Sequence, residues 1–244
     1  MPALLWHGGL MLLAWFVLLP GGALAARFFK VLPGQDFPAV LDNRAWWQAH
    51  LLLQYAGSAV AAAALWIAWD ALDGRWDWSE PHAVLGTAIM ALCALQVGSG
   101  MLRGTKGGPT DIHADPADPA TWRGDHYDMT LYRRLFEGWH KRAGYAAFLL
   151  AVPAAWLGLG LVAAPLWARV PPLLAAAGFA VAFGVLTRRG RRVDTWVAIW
   201  GPPGAGYAHP ARPGASSGTG VDAAPGFLPQ AEAAGEQRFR RLPS

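Results

Sequence analysis

Cysteine and charge are what this sequence has least of. Of its 244 residues a single one is cysteine, Cys93, which excludes an intrachain disulfide and any Cys-x-x-Cys-His attachment of haem. Charged residues make up 15% of the chain against 54% apolar ones. A soluble domain of this length needs more charge to cover its surface, so the composition argues for an integral membrane protein. The net charge of +4 and the pI of about 9.6 are no sign of nucleic-acid binding, because Lys and Arg sit in short segments between apolar runs. The 14 Trp are many for this length, and most lie near the ends of those runs, where amphipathic rings prefer the headgroup layer.

Five apolar runs are long enough to cross a bilayer as helices: Leu4–Ala26, Trp46–Trp69, Pro81–Met101, Gly138–Val162 and Val170–Leu186. Ala-Leu-Ala before Ala26 resembles a signal cleavage site. No basic residue precedes the first run, however, and its length favours a retained span. The expected fold is an all-α integral membrane bundle, with a transmembrane domain over residues 1–192 and a juxtamembrane segment and disordered tail over 193–244. Pro153 is expected to kink the fourth span. TLYRRLFEGWH reads as a short surface helix leading into that span, and Trp196–Trp200 as an apolar piece lying on the membrane surface.

Each of the first four runs carries one histidine near its start, and the fifth has none: His7, His50, His82 and His140. An ionisable residue in an apolar span is a candidate functional group, since lipid solvates it poorly. Successive spans reverse direction, so His7 and His82 fall at one level and His50 and His140 at the other. Two imidazoles from different helices can close both axial positions of a haem iron, and the two levels lie roughly 20 Å apart by helix rise. The residues therefore predict two haem b groups with axial pairs His7/His82 and His50/His140. A haem-free scaffold or proton relay is the alternative from another class.

Arg27, Lys30, Arg44, Lys141 and Arg142 flank the His50/His140 level and are candidate partners for haem propionates, or else set topology alone. Lys and Arg concentrate on that side, while the segment Asp70–Glu80 on the other side has Arg75 as its only basic residue. The expected orientation is N-terminus outside and C-terminus cytoplasmic. His113 and His126 sit among Asp111, Asp115, Asp125 and Asp128, read as a solvated acidic loop with a metal site as the alternative. His209 lies in the tail, and Cys93 reads as a small packing residue.

HGGLMLLAW with PGGALAARFFK, then WWQAHLLLQ, PHAVLGTAIMALCALQ and GDHYDMTLYRRLFEGWHKRAGY resemble the cytochrome b561 family. The likeness is to its bacterial members, similar to the b561 half of DOMON-linked cytochromes. The resemblance covers roughly Trp6 to Gly160 and implies a four-helix core with two bis-histidine b haems, ligated by His7, His50, His82 and His140. It also implies electron transfer across a bacterial inner membrane, with iron as the metal, membrane lipid as surroundings and the quinone pool as a candidate redox partner. A ferric or cupric reductase at the outer face is the alternative within redox chemistry. The ascorbate-associated motifs of animal and plant members are not found here, so donor and acceptor stay open, and so does a homo-oligomer.

Overall fold

The computed structural model describes residues 2–202, and the expectations for His209 and the remainder of the tail lie outside the described residues. Among the described residues five helices are long and apolar enough to cross a membrane: α1 Pro2–Phe28, α2 Ala45–Ala71, α3 Pro81–Met101, α4 Leu131–Leu161 and α5 Leu166–Arg188. A sixth, short helix, α6, spans Thr195–Trp200. No strand occurs among the described residues. The all-α architecture expected from the apolar runs is the observed one.

The helices are apolar nearly all round, as a lipid-facing surface requires. Leu52, Trp66, Leu149 and Val181 point outward. The inner faces use small residues so that backbones approach closely. Ala61, Ala64 and Ala68 are buried on α2, and Ala143, Ala147, Ala151 and Ala154 on α4. α1 packs along α2 and α3 along α4, giving two antiparallel pairs that together form the core, while α5 lies at the periphery. Gly57 lets α1 and α2 touch, since a Cβ there would meet Leu19 Cδ2 at 2.8 Å.

Helix starts follow local chemistry. Pro81 occupies the first turn of α3, where its missing N–H has no intrahelical partner to lose. The Thr130 side chain accepts the Arg133 N–H at the start of α4, and Asp194 accepts the N–H groups of Trp196 and Val197 at the start of α6. α4 thus begins at Leu131, and TLYRRLFEGWH is the first part of one 31-residue helix rather than a separate surface helix. The Thr130 cap and the Arg133–Glu137–Lys141 ion-pair ladder on its first turns carry the helix out past the apolar run. α4 continues through Pro153, and α5 through Pro171 and Pro172.

One feature of α1 has no counterpart in the apolar pattern. Residues Ala14–Leu18 form a π-helical turn midway along it. A π turn accommodates one extra residue within a helix and occurs mostly at functional sites.

The long connection 102–130, the segment 29–44 and α6 fold together against one end of the bundle. Lys106 pairs with Asp42 at 2.7 Å, the Asp42 N–H bonds the Ala198 carbonyl, and Lys30 Nζ donates to the Val193 carbonyl at 2.8 Å. Trp196 and Trp200 are buried against Tyr127, with the Trp196 Nε1–H donating to the Tyr127 carbonyl at 2.8 Å. The expected surface position of Trp196–Trp200 is therefore corrected. The aromatic face of α6 finds its apolar partner in the long connection, not in lipid.

Candidate functional site

All four histidines lie inside the bundle, and the helix directions bring them together in two pairs. The His7 and His82 rings are 6.1 Å apart between centroids, and the His50 and His140 rings 6.4 Å. A metal held between two imidazoles needs two bonds of about 2 Å plus two ring radii, a centroid separation of about 6 Å. Both pairs match that spacing.

The tautomers are set from behind. His7 Nδ1 lies 2.8 Å from the Ala64 carbonyl, His50 Nδ1 3.0 Å from that of Gly22, and His82 Nδ1 2.9 Å from that of Ala154. A carbonyl only accepts, so each Nδ1 carries the proton and donates it, which leaves Nε2 with a lone pair for a metal. His140 Nδ1 sits 3.4 Å from Ser99 Oγ, whose own hydrogen goes to the Gln96 carbonyl, so the hydroxyl can accept from Nδ1 as well.

Each pair faces a cavity. The one at His7 and His82 has about 390 Å³ and is walled by Gly8, Gly9, Gly86, Met11, Ile89 and Gly158 among others. At the other level, a cavity of about 230 Å³ is bordered by His50, His140, Trp47, Gly100 and Gly144, together with charged residues. A Cβ on Gly8, Gly9 or Gly86 would meet nothing within 4 Å, so these glycines leave open space beside the His7/His82 pair. Gly158 is needed for a different reason: a Cβ there would lie 2.6 Å from His82 Cε1. Paired imidazoles with free Nε2 atoms, glycine-lined space and mostly apolar walls fit a flat macrocyclic metal cofactor at each level.

The two ends of the bundle differ in charge. The basic-end cavity is lined by Arg27, Lys30, Arg103, Arg133 and Lys141, with Glu137 the acid among them. The other cavity meets Arg75, Asp77 and Glu80 at its mouth. Of the five basic residues expected at the His50/His140 level, Arg27, Lys30 and Lys141 line the cavity. Arg44 and Arg142 do not: Arg44 is the exposed residue preceding α2, and Arg142 points outward from α4. Helical phase explains Arg142, which is two positions from the inward-facing His140 and so about 200° round the helix. Arg103 and Arg133 were missed, although both stand at the level where α3 ends and α4 begins. Arg133 pairs with Glu137 at 3.1 Å, and Arg103 lies 4.3 Å over the Trp47 ring. Burial pushes Lys30 down from the usual lysine range to about 8, with Asp194 opposing that shift and Lys141 adding to it.

His126 is not in a solvated loop. It is buried at 5% exposure beside Trp200, with ring centroids 4.8 Å apart, and burial pushes its pKa down to about 2. His113 is exposed. Among the described residues no three His, Cys, Asp or Glu side chains converge as a metal site, and the loop's carboxylates instead accept from the loop's own N–H groups. Asp125 shows how: it accepts from the Thr105 N–H and hydroxyl and from the Thr130 hydroxyl, bonds that hold its carboxyl below the usual range. Cys93 is buried in the bundle core beside Ser58, as its packing role required.

The chain is 31% identical over 159 residues, 65% of its length, to a cytochrome b561, DM13 and DOMON domain-containing protein of Arabidopsis thaliana. It is 32% identical over 161 residues to ferric-chelate reductase 1 of Mus musculus, and 29% identical over 155 residues to that of Homo sapiens. These relatives support the cytochrome b561 family. The aligned part makes up 15% of the Arabidopsis protein, 23% of the mouse one and 22% of the human one, so this chain corresponds to a fraction of each. No family model and no solved structure matches the chain.

Proposed function

We propose that this chain is a cytochrome b561-type electron carrier of the cell membrane, with one haem b between His7 and His82 and a second between His50 and His140. The observation that carries the proposal is the paired geometry: ring separations of 6.1 and 6.4 Å with Nδ1 engaged on every ring. A haem b held by each histidine pair would supply one-electron exchange, the two imidazoles leaving no place for a further ligand. The chain's own residues do the rest. Ala64, Gly22 and Ala154 carbonyls hold the imidazoles in orientation, the glycines leave room, and the apolar walls keep water out. Arg27, Lys30, Arg103 and Lys141 offer cations where carboxylates of the basic-end cofactor would emerge, and such pairs are strongest at a low-dielectric boundary.

The basic end is the cytoplasmic one on the positive-inside rule, which puts the N-terminus outside. The quinone pool is the proposed electron partner on the ground of location. Reduction of a metal chelate at the opposite face is the second reading, favoured by Asp77 and Glu80 at the mouth of the His7/His82 cavity and by the ferric-chelate reductases among the relatives. A reduced-minus-oxidised spectrum and a pyridine haemochrome assay on the purified chain test the proposal. Two b haems per chain are expected, and a protein without haem refutes the reading.

A further inference from the structure

The π turn in α1 places an aromatic ring between the two histidine levels. Trp15, its second residue, is buried at 7% exposure and, among the described residues, is the one common to the linings of both cavities. Around it the core is built largely from alanine, with Ala14, Ala61, Ala147 and Ala151 in the same buried cluster. Phe148 meets the indole edge-on at 6.4 Å but borders only the basic-end cavity. A packing residue at this spot needs volume alone, and a leucine on a regular α-helix supplies it. The helix instead departs from α geometry here and buries an indole, whereas its other tryptophan, Trp6, is exposed, a combination that points to use rather than filling.

We propose that the Trp15 indole is the bridge through which electrons pass between the two histidine-paired sites, an inference that rests on the haem-carrying function proposed above. One electron leaves the group at one histidine pair and arrives at the group at the other. The indole supplies π orbitals between them, is itself neither oxidised nor reduced, and no proton moves.

The test uses the full chain purified and placed in vesicles that enclose ferricyanide, with dithionite-reduced mediator added outside. Trp15→Leu keeps an apolar side chain and removes the ring, Trp15→Phe keeps a ring, and Phe179→Leu removes a ring that borders neither cavity. With two haems retained, Trp15→Leu slows reduction of the enclosed acceptor by roughly an order of magnitude, equivalent to about 1.4 kcal/mol. Trp15→Phe keeps most of the rate, and Phe179→Leu keeps all of it. A readout independent of turnover accompanies this: Trp15→Leu shifts the absorption maxima of both haems, because the same ring walls both cavities. Should Trp15→Leu lose a haem, Trp15→Met serves as the ring-free variant, its flexible side chain filling the gap. Two haems with an unchanged rate in a ring-free variant overturn the bridge and leave the haem-carrying function standing. An unaltered chain without haem overturns both.

Discussion

Gly158→Ala isolates the His7/His82 site with a single methyl group. The added Cβ would lie 2.6 Å from His82 Cε1 and 2.9 Å from its Nδ1. Carbon atoms pack best at about 3.5–4.0 Å, so the ring must retreat by about 1 Å. That retreat breaks the 2.9 Å bond from Nδ1 to the Ala154 carbonyl and moves Nε2 off the line to His7. The effect on the fold is small, because two terms oppose each other. Alanine improves a helix interior over glycine by about 1 kcal/mol, while overpacking one methyl costs about 1–3 kcal/mol. The effect on ligation is large, since a 1 Å misplacement of a working group costs about a hundredfold. The expected outcome in purified protein is one haem per chain in place of two, with normal yield and helicity. Gly178→Ala, where a Cβ meets nothing within 4 Å, is the control and keeps both. Two haems with an unaltered spectrum in Gly158→Ala would refute the reasoning, because the ring would then tolerate displacement.

His7→Ala and His82→Ala should lose the same haem and spare the other, while His50→Ala and His140→Ala should lose the second; difference spectra of the four single variants decide, and any other pairing refutes the assignment. Lys30 is held near 8, so between about pH 8 and 10.5 the unfolded chain binds the extra proton and stability rises with pH. Lys30→Met should therefore flatten the climb of the thermal midpoint in detergent above pH 8, and an unchanged slope counts against burial as the cause. His126 is neutral when folded and about 2 in pKa, so the unfolded chain gains its proton below about 6.5 and stability falls by about 1.4 kcal/mol per pH unit from there. His126→Phe should remove that acid sensitivity from the segment 102–130, read by protease cleavage of the connection between pH 5 and 7.

The apolar runs made the membrane spans legible, because length and low charge are local properties that lipid enforces directly. The four histidines were legible for the same reason, and alternation of helix direction was enough to pair them. What the pattern did not reveal depends on contacts between segments far apart in sequence. Trp196 and Trp200 read as interfacial because nothing local shows that Tyr127 and His126 fold over them. Arg142 and Arg44 were indistinguishable from Lys141 by position along the chain; helical phase separates Arg142 once the inward face of α4 is known, and Arg44 is set apart by its place before the first turn of α2. Arg133 could have been found by counting whole turns from His140, since it lies seven residues, about two turns, before it, whereas Arg103 follows the end of α3 and has no helical register to count from. The π turn gives no signal in composition at all.

That turn makes sense of the register between levels. In each antiparallel pair, one helix offers a histidine and receives, at its far end, the histidine of its neighbour. Along α2, fourteen residues separate His50 from Ala64, which holds His7, and along α4 the same number separate His140 from Ala154, which holds His82. Along α1 the count from His7 to Gly22, which holds His50, is fifteen. Fourteen residues rise about 21 Å and come close to four whole turns, so both ends of a helix present the same face inward. The fifteenth residue of α1 would rotate that face by about 100°, and the π turn at Ala14–Leu18 takes it up. Orienting bonds therefore run within the pairs α1/α2 and α3/α4, whereas each cavity closes between the pairs, His7 facing His82 and His50 facing His140. The distance between the two levels is accordingly set by helix rise inside each pair rather than by the connections at either end.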